Sequence, residues 1–218
     1  GGVFEEPPFP TMIHSMAYTL CSYCFFFAGT DGRRFMNEDT YAQGSTIAMI
    51  REGLPYAWSI LDSDWPEKVE RSLAYGGGLF WGQDHILDEE PVFDKERDLR
   101  LIKRGEKSGT VVSADTPGEL AKLMGVPVDA FCGELARYNR FCEAGRDEDF
   151  GKRPELLMPI DKPPYYALKF GPALLAVVGG LRTNAAFQVL GEQGGPIPGL
   201  YAVGNVAGGR YGVDYPLI

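Results

Sequence analysis

The chain has 218 residues, 44% of them hydrophobic and 23% charged, enough for one large or two small domains with a sizeable core. Its net charge of −9 argues against nucleic acid or an anionic membrane as a main partner. Four cysteines are too few for a disulfide scaffold at this size, and with only His14 and His85 a multi-histidine metal site is excluded.

No apolar run is long enough to cross a bilayer, the longest, Tyr23 to Ala28, being strand-sized. The chain starts Gly-Gly without methionine and ends Tyr215-Pro216-Leu217-Ile218 without a polar tail. It is therefore expected to be an internal portion of a longer protein, and its termini do not indicate a compartment. In chain order, Pro7, Pro8 and Pro10 mark an extended or looping start. Cys21 and Cys24 form a CxxC with no second pair or nearby histidine for zinc, which leaves two buried reduced thiols or a redox dithiol. Tyr23 to Ala28 reads as a strand, Gly29-Thr30-Asp31-Gly32 as a turn, and Arg33 to Met36 as the returning strand. A helix over 43–52 stops at Gly53, Tyr56 to Leu61 is a strand, and an amphipathic helix covers Pro66 to Ala74. Residues 75–97, with Trp81, read as irregular, and Asp88-Glu89-Glu90 as a solvated acidic face.

The second half has sharper signals. Thr116-Pro117-Gly118-Glu119 is a capping box with proline at the first helical position, and Gly125 ends that helix. The next helix, from about Pro127 to Ala144, puts Phe131, Leu135, Tyr138 and Cys142 on one stripe and stops at Gly145. Cys132 and Cys142, ten residues apart on it, point in different directions. Arg146 to Pro154 is a charged loop, and Tyr165 to Phe170 a strand. Leu200 to Val203 reads as a short buried strand, entered by a Pro-Gly turn and left through Gly204-Asn205, with Gly208-Gly209 following. Glycines placed there let backbone approach a flat or phosphorylated ligand. The same spacing suits a structural hairpin with Gly-rich turns. Without a regular βαβ rhythm, the fold class is α+β.

Phosphate loops of the Walker type, a GxSxG elbow, HExxH and an N-terminal GxGxxG are all missing. Five segments, taken in order, carry the functional signal: Gly32-Arg33-Arg34-Phe35-Met36-Asn37-Glu38; Thr116 to Gly125; Arg137-Tyr138-Asn139 with Gly145 to Phe150; Gly179-Gly180-Leu181; and Ile197 to Gly209. Together they resemble the flavoprotein subunit of fumarate reductase and succinate dehydrogenase, with its relatives among FAD-dependent reductases and 3-ketosteroid dehydrogenases.

The resemblance implies FAD as cofactor and a substrate-capping domain over residues 21–175. Residues 1–20 and 176–218 would be parts of the FAD-binding domain, whose Rossmann part would precede Gly1. This chain alone is expected to bind FAD poorly. By the same mapping Gly179 and Gly180 pass close to the isoalloxazine, Gly204 and Asn205 face the ribityl chain, and Gly208 and Gly209 complete the cofactor edge. Glu38 matches a glutamate of the fumarate reductases' proton path; a salt bridge to Arg33 or Arg34 is its other reading.

Departures from the pattern narrow the substrate. Tyr41-Ala42-Gln43, Asp62-Ser63-Asp64-Trp65, and Tyr215 stand where the fumarate reductases carry arginines, and Leu174 to Val178 replaces a histidine region. A dicarboxylate needs cationic clamps, so fumarate and succinate are disfavoured. Tyr215-Pro216 matches the 3-ketosteroid dehydrogenases, where a phenol polarises a substrate carbonyl; a tyrosine packed at a strand end is the plainer reading. Arg210 and Tyr211 lie beside it as substrate contacts. The expected function is hydride transfer between flavin and a carbonyl-activated carbon–carbon bond of a small enone, enoate or steroid-like molecule, served by an electron-donor protein. The alternative is a catalytically inactive flavin-binding or sensor module.

Overall fold

The computed structural model describes residues 25–40, 42–75, 93–172 and 180–208. The chain divides into two compact units, Gly1–Ala173 and Leu174–Ile218. Helices and strands are mixed in an α+β arrangement. Among the described residues no helix is long and apolar enough to cross a membrane.

The large unit is built on a four-stranded antiparallel sheet in the order β1-β2-β4-β3, with β1 Phe26–Ala28, β2 Ala57–Leu61, β3 Val111–Ala114 and β4 Tyr165–Phe170. The central strand β2 is buried at every position, so it shows no polar face in sequence. One face of the sheet, with Phe26, Ile60 and Ala167, packs on helices α4 (Pro117–Met124) and α5 (Val128–Ala144) through Leu120, Met124, Phe131, Leu135 and Tyr138. The opposite face carries two further clusters. Phe27, Ala57 and Phe170 meet Met49 of α1 (Ala42–Arg51). Phe25, Leu61, Val111 and Leu168 meet Val69 of α2 (Trp65–Ala74) and Ile102 of α3 (Lys95–Ser108).

Local chemistry explains these boundaries. The Thr116 hydroxyl accepts the Glu119 amide at 3.2 Å, and Pro117 opens α4. Gly109, Gly125 and Gly145 end α3, α4 and α5 in the left-handed conformation. Asp94 caps α3 by accepting the Arg97 amide at 2.9 Å.

Three expectations need correction. Arg33 to Met36 forms no strand; one isolated bridge, Ala28 to Arg34, is all that returns along β1. Two polar side chains, described below, take over that edge. The expected irregular stretch ends early, because α3 begins at Lys95. Its six cations and three anions hide a buried stripe of only Asp98, Ile102 and Gly105, too narrow for an apolar-periodicity reading. The third correction lies in the small unit, where β5 (Leu181–Arg182) pairs in parallel with β8 (Ala207–Gly208), and β6 (Gln188–Leu190) pairs antiparallel with β7 (Pro196–Tyr201). All six residues of β7 are exposed, so the expected buried strand is an exposed one, and Pro198-Gly199 lies inside it and not in a turn before it. Among the described residues there, only Val189, Ala202 and Ala207 form a buried cluster.

Candidate functional site

Two of the sequence segments that carry the resemblance, Gly32 to Glu38 and Arg137 to Asn139 with Gly145 to Phe150, meet in one buried place. Arg34, Glu38, Asp147 and Lys152 are each at most 6% exposed. The Arg34 guanidinium grips two carboxylates at once. Its Nε and Nη2 donate to the two oxygens of Glu38 at 2.7 Å each, and its Nη1 and Nη2 donate to Asp147 at 3.0 and 2.8 Å. Such forked contacts are the arrangement a guanidinium makes and an ammonium cannot. Tyr138 and Phe150 place their rings 5.0 Å from the guanidinium carbon, closing it off from water.

Lys152 completes the group. Its ammonium lies 3.4 Å from Glu38 Oε2 and donates to Tyr138 Oη at 3.1 Å and to the Phe25 carbonyl at 3.0 Å. Asp147 also organises its own loop, accepting the amides of Asp149, Phe150 and Lys152 at 3.0–3.3 Å. Two cations and two anions balance, which is what makes a buried charged group of this size tolerable.

Burial pushes the Asp147 carboxyl up, but the Arg34 hydrogen bonds and the backbone amides outweigh it and hold the group at about 2. For Arg34, burial works against the charge while Glu38 and Asp147 win and raise it. Burial pushes the Tyr138 phenol well above its ordinary range, with Lys152 pulling the other way, and pushes the Cys142 thiol up to about 11. Cys132 and Cys142 are both free thiols.

The motif residues around this group are anchors too. Arg137 binds Asp149, with Nε to Oδ2 at 2.8 Å. The Asn139 amide exchanges two hydrogen bonds with the Ile160 backbone, each 2.9 Å. Arg153 forks onto Asp39, Nη2 to Oδ1 at 2.9 Å, and reaches the Tyr75 carbonyl at 3.2 Å. A second buried pair, Lys68 to Asp62 at 2.5 Å, fixes the turn after β2 to the Asp161 and Lys162 amides through the other Asp62 oxygen.

Of the two readings of Glu38, the salt bridge is present, and its partner is Arg34. Asp147 and Lys152 were missed as site residues. The signals were an Arg-x-x-x-Glu spacing and an acidic residue five positions before a lysine, both faint because a charged loop reads as solvated. Gly179, Gly209, Arg210, Tyr211 and Tyr215 lie outside the described residues.

In the small unit Gly180 and Gly208 face each other. A Cβ on Gly180 would meet the Val206 carbonyl oxygen at 2.3 Å, and one on Gly208 would meet the Gly180 carbonyl oxygen at 2.5 Å. Their missing side chains thus let β5 and β8 close. Gly204 has φ +66°, and a side chain there would meet nothing within 4 Å, so conformation and not crowding selects glycine. Asn205 beside it is exposed, which leaves its amide open to donate to or accept from a ligand hydroxyl. No group of three or more potential metal ligands occurs among the described residues.

The family model described as FAD binding domain matches residues 24–217. Over 97% of its length the chain is 28% identical to the vinyl phenol reductase of Lactiplantibacillus plantarum, and over 85% it is 31% identical to the 3-oxosteroid 1-dehydrogenase of Mycolicibacterium smegmatis. It spans 42% and 33% of those proteins. The solved 3-ketosteroid delta1-dehydrogenase of Sterolibacterium denitrificans, in complex with 1,4-androstadiene-3,17-dione, superposes with a TM-score of 0.60 at 27% identity, covering 84% of this chain and 33% of that one. The chain belongs to the FAD binding domain family of flavoprotein oxidoreductases, with the fumarate reductases and 3-ketosteroid dehydrogenases.

Proposed function

We propose that this chain supplies the substrate cap and the returning edge of the flavin domain in an FAD-dependent oxidoreductase acting on a carbonyl-activated carbon–carbon bond. Bound FAD would supply two-electron hydride chemistry. The observation that carries the reading is the family match over almost the whole chain, joined to a relative named for 3-oxosteroids, whose 3-oxo group is the activating carbonyl. In this reading residues 21–175 cap the substrate, and residues 1–20 and 176–218 belong to the flavin domain.

The roles of the chain's own residues follow from their chemistry. Asn205 hydrogen-bonds a ribityl hydroxyl, and the backbone of Gly179-Gly180 and Gly208-Gly209 runs along the cofactor. Tyr215 donates its phenolic proton to the substrate carbonyl oxygen, stabilising negative charge that develops there, while Arg210 and Tyr211 contact substrate polar atoms. The described cations near Glu38 are committed elsewhere, Arg34 to two carboxylates and Lys152 to Glu38 and Tyr138. That supports a substrate without two carboxylates.

The test is anaerobic. The full-length protein loaded with FAD is reduced chemically and mixed with 2-cyclohexenone, 1,4-androstadiene-3,17-dione or fumarate. The expected result is rapid flavin reoxidation by the enone or the steroid partner and none by fumarate, with Tyr215→Phe slowing it by roughly a hundredfold. A loaded flavin that no conjugated carbonyl compound reoxidises would leave a binding or sensor module as the function.

A further inference from the structure

Among the described residues β1 is an edge strand of its sheet. Backbone groups of successive residues face opposite edges of a strand, so the Phe25 carbonyl and the Phe27 amide share one edge. A fifth strand would ordinarily satisfy such groups, and a bare edge invites pairing with another chain. Among the described residues no strand lies beside them. The Phe27 amide instead donates to Glu38 Oε1 at 3.2 Å, and the Phe25 carbonyl accepts from Lys152 Nζ at 3.0 Å. A carboxylate and an ammonium, 3.4 Å apart, thus present the acceptor and the donor that a neighbouring strand would present.

The pair is held from behind. Arg34 occupies both Glu38 oxygens and is itself fixed by Asp147, whose loop carries Lys152.

We propose that Glu38 and Lys152 act as a side-chain surrogate for a fifth strand, Lys152 being the positioning residue that keeps the Glu38 carboxylate on the Phe27 amide. Glu38 is then a fixed acceptor, and protons reach the substrate by another route. This is independent of the substrate assignment, so either can fail without the other.

Residue-resolved amide hydrogen exchange on the full chain tests it, comparing wild type with Lys152→Met, Lys152→Arg and Glu38→Gln. Lys152→Met keeps the side chain's bulk and removes its donors. Exchange at the Phe27 amide should rise by about tenfold relative to that at Ala167 in β4, and Lys152→Arg should restore most of the protection. Equal acceleration at Phe27 and Ala167 would reduce Lys152 to space filling and overturn the proposal. In FAD-loaded protein, Glu38→Gln should keep the pH profile of flavin reoxidation by 2-cyclohexenone, and loss of one limb of that profile would restore Glu38 as a proton carrier. If Glu38→Gln does not fold, the two Lys152 variants decide alone.

Discussion

The two compact units are held by opposite means. The large unit buries both faces of its sheet, in three clusters built on aromatic and aliphatic side chains, and adds a neutral set of four buried charges. In the small unit, Val189, Ala202 and Ala207 form the only buried cluster among the described residues, while Ile197, Leu200, Tyr201, Val203 and Val206 are all more than 40% exposed. There the backbones approach because two glycines leave room for each other. Among its described residues the small unit thus leaves apolar side chains exposed where the large unit buries them. That contrast fits the proposed roles, one part capping the substrate and the other lying along the cofactor.

The sharpest way to break this contrast is to remove a charge from the large unit. Arg34→Met strands Glu38 and Asp147 together and should cost about 3–5 kcal/mol in urea unfolding near neutral pH. A loss under about 1 kcal/mol would mean that water reaches the group and that its burial counts for little. The matching change in the small unit is Gly180→Ala, which puts a methyl group against the Val206 carbonyl. It should raise hydrogen exchange at Leu181 and Ala207 while leaving the urea midpoint of the large unit within error. A common shift of both would show that the units unfold as one.

Acid sharpens the comparison further. Asp147 has a folded value of about 2, below the ordinary carboxylate value, so its stabilising effect is complete above about pH 4 and is lost as the pH falls through the folded value. The large unit should therefore weaken steeply between about pH 4 and 2, and Asp147→Asn should flatten that dependence. An unchanged acid limb in Asp147→Asn would assign the acid sensitivity to other groups.

The smallest effect runs the other way. Asp98, buried in α3, has its Oδ2 without a hydrogen-bond partner among the described residues, and burial raises its carboxyl although Arg97 pulls it down. The unfolded chain ionises this group first, so stability is lost as the pH rises above the ordinary carboxylate range. Asp98→Asn should gain about 1 kcal/mol at pH 8 and nothing near pH 3, by thermal or urea unfolding. A loss at pH 8 would reveal a favourable role for the charge at the start of the helix.

Much of the fold was legible where local chemistry decides it. Thr116, Pro117, Gly125 and Gly145 delimit two helices through capping and left-handed turns, and Tyr165 to Phe170 forms β4 at the expected bounds. What escaped reading depends on partners distant in sequence. Asp147 meets Arg34 across 113 positions, and Lys152 meets the Phe25 carbonyl across 127, so neither shows in a window. The motif Arg137-Tyr138-Asn139 was visible as a signature, but its purpose as an anchor to Asp149, Lys152 and Ile160 was not. In β7 an apolar run was taken for a core strand. Sequence reports that such residues want cover, without saying whether the cover belongs to the same unit.

The most direct measurement is hydrogen exchange of the full-length protein loaded with FAD against its flavin-free form. Exchange over Gly204 to Gly208 should slow when FAD is bound, with exchange in β1 and β4 nearly unchanged. Protection gained in β1 and β4 while Gly204 to Gly208 stays as it was, in protein that has demonstrably taken up the flavin, would contradict the proposed roles.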